Sequence, residues 1–116
     1  MNKPYVLGID IGGTNTVFGI VDARGTVIAS GAIKTAKHPV FDDYIDELHT
    51  EAMKLIEAND ATDKIGGIGV GAPNANYYTG KIAAAANLIW KGELDIAGKL
   101  EEHFNIPVAV TNDANA

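Results

Sequence analysis

Apolar residues come first in short dense runs and later at helical spacing, and this change of period orders the elements. Tyr5 to Ile11 (YVLGIDI) is apolar enough for a buried strand, Gly12 and Gly13 break it, and Thr16 to Val21 (TVFGIV) follows as a second strand. Asp22 to Gly25 (DARG) is a turn in which Gly25 can take positive φ, and Thr26 to Ile33 (TVIASGAI) is a third strand. Three strands joined by tight turns make an antiparallel meander. A polar loop from Thr35 to Phe41, holding Pro39, leads into a helix predicted over Asp42 to Asn59. There Ile45, Leu48, Ala52, Leu55 and Ile56 recur on one face, with Asp42 and Asp43 at the positive end of the helix dipole.

Lys64 to Gly71 (KIGGIGVG) is a fourth strand, apolar and glycine-rich, and Ala72 to Ala86 reads as irregular or hairpin-like with Gly80 at the turn. A second helix is predicted over Glu93 to Phe104, with Leu94, Ala97, Leu100 and Phe104 on one face, and Pro107 to Thr111 is a fifth strand. The strand–helix–strand units require right-handed parallel crossovers. The expected fold is therefore α/β: a mixed five-stranded sheet, three antiparallel strands and then two parallel, with helices. It is unlike a doubly wound dinucleotide fold, which alternates strand and helix from the start.

Composition narrows the function classes. The 116 residues suit one domain with a real core, and no repeat or linker divides them. A formal net charge of -6 argues against a nucleic-acid partner or an anionic membrane surface. With no cysteine there is no disulfide or thiolate metal site, and a reducing compartment is the expectation. The N-terminus MNKPYVLGID carries charge and turn residues too early for a signal peptide, and the longest uncharged stretch, Ile65 to Gly80, is broken by Gly, Pro and Asn. A cytoplasmic, soluble protein is expected.

Three stretches carry candidate chemistry. Gly8 to Asn15 (GIDIGGTN) sets an acid near the end of a buried strand, then two glycines and two small hydrogen-bonding residues. Glycines let the backbone approach a ligand, and turn N–H groups can converge on an anion. Asp10 would repel phosphate directly, so its sensible role there is to hold Mg²⁺ through water. The alternative is a plain hairpin turn in which Asp10 caps Gly12 and Gly13 supplies positive φ. The pattern is neither a Walker loop nor GxGxxG.

The second stretch, Gly69 to Gly92, combines small residues (Gly69, Gly71, Ala72, Ala83 to Ala86) with the amides of Asn74, Asn76 and Asn87 and the rings of Tyr77, Tyr78 and Trp90. Amides with apolar flanks suit sugar recognition, and a hairpin with surface asparagines and a packing tryptophan fits the same residues. In the third, Thr111 to Ala116 (TNDANA), Asn112 and Asp113 follow a strand as helix N-caps do. Asp113 also suits a general base for phosphoryl transfer, and a helix dipole that keeps the carboxylate ionised makes the two roles compatible. His38, His49 and His103 have no metal-ligand spacing, and the two on helices are expected to be exposed.

DIGGTN, then GAPN…GKIAAAANLIW, then TNDANA, in this order, resemble the N-terminal lobe of the ROK family of sugar kinases and repressors, over essentially all 116 residues. The resemblance implies the actin-like, ribonuclease-H-like ATPase fold and an ATP-dependent hexose kinase, with the 6-hydroxyl of glucose as the expected acceptor. It implies that Asp10, Gly12, Gly13, Thr14 and Asn15 meet the ATP phosphates and Mg²⁺. It likewise implies that Gly71, Ala72, Asn87 and Asn112 line the sugar pocket, and that Asp113 takes the proton of the attacking hydroxyl. One departure stands out: Pro73-Asn74-Ala75-Asn76 occupies the place where family members often carry Pro-Gly-x-(x)-Asp, so Asn74 replaces a glycine.

Such kinases continue into a second lobe with further sugar ligands, a zinc site and the adenosine contacts. The chain is therefore expected to be an N-terminal lobe, residues 1–116, inactive alone and self-associating, most simply as a homodimer. A ROK repressor would carry an N-terminal helix-turn-helix, for which a strand starting at Tyr5 leaves no room. A non-catalytic sugar-binding module would have no need of Asp113.

Overall fold

The computed structural model describes residues 3–72, 75–76, 78–79, 81–82, 90 and 94–112. Its core is a sheet in the order β3-β2-β1-β4-β7, built from β1 (Tyr5–Ile11), β2 (Asn15–Val21), β3 (Val27–Lys34), β4 (Ile65–Ala72) and β7 (Val108–Asn112). β1, β2 and β3 pair antiparallel, and β1–β4 and β4–β7 pair parallel. This is the mixed sheet expected from the pattern. The intervening strands β5 (Ala75–Asn76) and β6 (Lys81–Ile82) form a short antiparallel pair, the hairpin alternative for that stretch.

Turn chemistry fixes the meander. Gly25 has φ of 86°, and the Asp22 carboxylate accepts the N–H groups of Arg24 and Thr26, each at 2.9 Å. That closes β2 onto β3 as the DARG signal implies. The helix α1 (Phe41–Ala58) packs Tyr44, Ile45, Leu48, Ala52 and Ile56 against the sheet. Val40 offers no side-chain cap, and Asp42 and Asp43 in the first turn compensate the dipole. At its other end Asp60 sits in the left-handed region (φ 53°) and Ala61 N–H bonds the Ile56 carbonyl at 2.9 Å, a Schellman closure made without glycine.

The second helix, α2 (Ile96–Phe104), begins later than its apolar spacing suggests. Asp95 is the N-cap, its carboxylate accepting the Gly98 N–H at 3.1 Å, while Leu94 is buried ahead of the helix. A side chain at Gly98 would collide with that carboxylate, so the cap needs the glycine. Leu94 fills a core position without being helical, which is why period alone extended the helix to Glu93.

The two helices share an interface that contradicts the expectation of exposed histidines. His49 and His103 are both half-buried, their rings 5.2 Å apart, and His49 packs edge-on against Phe104. His103 Nε2 lies 2.9 Å from an Asp46 carboxylate oxygen and Nδ1 lies 2.8 Å from the Lys99 carbonyl. The Lys99 ammonium pairs with Asp42 at 3.0 Å beside them. Helix amphipathicity located the stripes but not the pairing of one helix with the other, and the pairing is what covers the imidazoles.

Candidate functional site

Strand register assembles the candidate residues. Asp10 near the end of β1 pairs with Gly71 of β4, and Gly71 pairs with Thr111 of β7; one step on, Ala72 pairs with Asn112. Neighbouring strands lie about 4.8 Å apart, so these positions span roughly 10 Å along the carboxyl ends of the parallel strands. Ligands of open α/β sheets bind at that edge. Asn87 and Asp113, with Asn74 and Tyr77, lie outside the described residues. Of Asn112 only the strand position is described, and Tyr78 is exposed.

Alternation decides which way Asp10 faces. Leu7, Ile9 and Ile11 are buried beneath the helices, whereas Asp10 is exposed on the opposite face. There a cleft of about 380 Å³ is lined by Gly8, Asp10, Val17, Ser30, Gly69 and Gly71, among others. Glycines make it: at Gly69 nothing lies within 4 Å of where a Cβ would sit.

The turn from β1 to β2 is tight. Gly12 N–H donates to the Asn15 carbonyl at 3.0 Å, and a Cβ on Gly12 would come within 3.0 Å of the same oxygen. Gly12 is thus required by close approach. Gly25 is the positive-φ glycine among the described residues, so Gly13 does not play the part a plain hairpin would give it. Thr14 and Asn15 are exposed, and the N–H groups of Gly13 and Thr14 make no hydrogen bond among the described residues. An anion can meet them there.

Beneath this turn lies a polar cluster that sequence reasoning missed. Thr16, Thr35 and Tyr44 are all buried, and Thr16 Oγ1 lies 2.8 Å from Thr35 Oγ1 and 2.6 Å from the Tyr44 hydroxyl. Burial pushes the Tyr44 phenol well up, and its bond to Thr16 offsets only part of that, so it stays neutral. The Thr35 N–H donates to the Thr14 carbonyl at 2.9 Å. The available signal was a hydroxyl at an inward strand position: Thr16 alternates with Phe18 and Ile20, both buried.

Trp90 is a packing residue, as one of the two readings of its stretch held. It is buried against Tyr44 and Phe41, with ring centroids at 4.5 and 5.1 Å, and donates from Nε1 to the His38 carbonyl at 3.0 Å. His38 Nε2 in turn lies 2.8 Å from a Glu47 carboxylate oxygen. Burial pushes the Glu47 carboxyl up, but hydrogen bonds from His38 and Lys37 outweigh it and bring it below its ordinary value.

No group of three or more His, Asp or Glu side chains could cage a metal among the described residues. A lone exposed carboxylate such as Asp10 fits Mg²⁺, which keeps much of its water and takes few protein ligands. No described helix is long and apolar enough to cross a membrane.

Comparison with known proteins places this geometry. The chain is 30% identical over 111 residues to a glucokinase of Streptomyces coelicolor, covering 95% of this chain and 33% of the relative. It is 29% identical over 120 residues to a xylose repressor of Bacillus spizizenii, covering 97% and 29%. Among solved structures it superposes on a ROK family glucokinase from Streptomyces griseus, in complex with glucose and AMPPNP, with a TM-score of 0.79 and 27% identity, covering 96% of this chain and 34% of that one. The chain thus spans about a third of the length of the curated relatives it matches. The mixed sheet is that of the actin-like ATPase fold, which these sugar kinases share. The ROK family profile matches residues 6–116, and the chain belongs to the ROK family.

Proposed function

We propose that the chain is the N-terminal lobe of an ATP-dependent hexose kinase, with glucose the leading substrate. The observation that carries this reading is the row of positions at the carboxyl ends of β1, β4 and β7: Asp10, Gly71 with Ala72, and Thr111 with Asn112, beside the Gly12–Asn15 turn. In this reading the N–H groups of Gly13 and Thr14 meet phosphate oxygens, with the Thr14 and Asn15 side chains as further donors. Asp10 holds water-bound Mg²⁺, which when present neutralises phosphate charge. Gly71, Asn87 and Asn112 receive the sugar, and Ala72, fully buried, supports the strand end from the core side. Asp113 accepts the proton of the 6-hydroxyl as its oxygen bonds to the γ-phosphorus and the bridging bond to ADP breaks.

Catalysis of this kind is positioning, and it needs groups on both sides of the two substrates. A chain of 116 residues, a third of its glucokinase relatives, is expected to bind but not turn over. A coupled ADP-release assay with glucose tests this, and turnover at a full-length relative's rate would overturn it. Apolar surface on the open face of the sheet, where Val6 and Val17 are exposed, favours a homodimer, to be checked by sedimentation; a monomer at high concentration would remove that part.

The xylose repressor relative favours a second reading, a sugar-sensing lobe without chemistry. The two part at the nucleotide. Titration of the ¹⁵N-labelled chain with Mg·AMPPNP should shift the Gly12–Asn15 amides; shifts with glucose alone and none with AMPPNP would favour the sensor.

A further inference from the structure

Three hydroxyls in a core where valine and phenylalanine would serve ask for a reason, because each buried polar group must recover its lost hydration. Thr16, Thr35 and Tyr44 come from three different elements: the second residue of β2, the residue just after β3, and the first turn of α1. Thr16 Oγ1 is the shared centre, 2.8 Å from Thr35 and 2.6 Å from Tyr44. Thr35 is fastened twice, by its hydroxyl to Thr16 and by its N–H to the Thr14 carbonyl at 2.9 Å. The chain of contacts therefore runs from α1 through the core to the exposed turn. It ends on a carbonyl oxygen that would repel a phosphate if it were free to swing outward.

We infer that Tyr44, Thr16 and Thr35 are positioning residues that hold the Gly12–Asn15 turn in its anion-binding shape, with Tyr44 acting through Thr16 and Thr35. The inference rests on the phosphate role proposed for that turn. Its physical basis is preorganisation: a turn held by buried bonds loses little freedom when a ligand arrives. It also makes α1 a lever, since a shift of Tyr44 reaches Thr14 through two hydroxyl contacts and the hydrogen bond from the Thr35 N–H to the Thr14 carbonyl.

Amide hydrogen exchange and Mg·AMPPNP titration, both read by NMR on the 116-residue chain, test it together. Thr16→Val removes both hydroxyl contacts at nearly constant volume, Tyr44→Phe removes one, and Thr16→Ser restores the hydroxyl. Thr16→Val and Tyr44→Phe should speed exchange of the Thr35 amide about tenfold relative to the Ile20 amide and weaken AMPPNP binding several-fold, by about the worth of one hydrogen bond. Thr16→Ser should return both toward wild type. Ile68→Val, a core trim on β4, should change neither the exchange ratio nor the affinity.

Wild-type affinity and exchange in Thr16→Val and Tyr44→Phe would overturn the inference alone. Absence of any Gly12–Asn15 shift in the wild-type chain would overturn the phosphate role, and this inference with it, while exchange at Thr35 would still show whether the hydroxyls hold the turn. Should Thr16→Val not fold, Tyr44→Phe against Thr16→Ser carries the same comparison.

Discussion

The two faces of the central sheet are made by the same strands and have opposite characters. Toward the helices stand Leu7, Ile9, Ile11, Phe18, Ile20, Ile68, Val70 and Val110, all buried. Away from them stand Gly8, Asp10, Gly69 and Gly71 with the exposed valines Val6 and Val17. Strand alternation sends neighbouring residues to opposite faces, so one face can be spent on stability while the other keeps room for a ligand. Substitutions should therefore separate, with folding losses on the covered face and binding losses on the open one; Thr16 and Tyr44, buried under the Gly12–Asn15 turn, are the exception that reaches binding from the covered side.

The largest effect is expected at Leu48, fully buried between α1 and the sheet. Leu48→Ala should cost about 2–5 kcal/mol, read as a lower urea midpoint at unchanged slope. A loss below about 1 kcal/mol would mean the helix-covered face is not the main source of stability.

A glycine pair sharpens the contrast. A Cβ on Gly31 would meet the buried Phe18 ring at 2.9 Å, so Gly31→Ala should cost about 1–3 kcal/mol by overpacking. Gly69→Ala, with open space around it, should stay within about 0.5 kcal/mol of wild type in the same denaturation series. Equal effects would break the comparison.

The helix interface predicts a smaller, pH-dependent effect. Both ring nitrogens of His103 face acceptors, so the fully bonded ring is the imidazolium. The bond to the Lys99 carbonyl, and after it the Asp46 carboxylate, raise the His103 pKa above the ordinary value. A raised histidine contributes fully below its unfolded pKa, about 6.5, and that contribution is lost as pH rises through the folded value. His49 goes the other way: burial, then the charge of His103, lowers it, so it costs stability as pH falls below about 6.5. Asp46 is largely exposed, and the clamp should be worth at most about 1 kcal/mol. Urea midpoints at pH 6.5 and 8.5 should differ in wild type by more than in Asp46→Asn, which keeps the Lys99 carbonyl bond; an unaltered pH dependence in the variant would dismiss the clamp.

The smallest stability change belongs to Asp10→Asn on the open face, within about 0.5 kcal/mol, yet Mg·AMPPNP affinity should fall. Calorimetric titration decides this, and full affinity in the variant would remove Asp10 from the proposed metal role.

The open face was also the more legible in its motif, and the covered face in its period. Inward positions Leu7, Ile9, Ile45, Leu48 and Ile56 announce themselves because apolar residues repeat at two and at 3.6. GGTN announced a turn because glycines leave few alternatives. What escaped were pairings between elements. Neither Thr16 with Tyr44 nor His49 with His103 follows any local period, since partners so far apart in sequence meet only once the sheet and helices have closed. The cap at Asp95 escaped for a different reason: Leu94 before it and Ile96 after it are both buried, which reads as continuous helix.

Trp90 gives the molecule a built-in optical probe. It is the sole tryptophan of the chain, shielded from water and seated on the Tyr44 ring. Its emission should lie to the blue in the native state and move to the red as the ring parts from Tyr44 and meets solvent. Because Tyr44 touches Thr16, Trp90 emission can follow the junction of α1 with the Gly12–Asn15 turn in unlabelled protein.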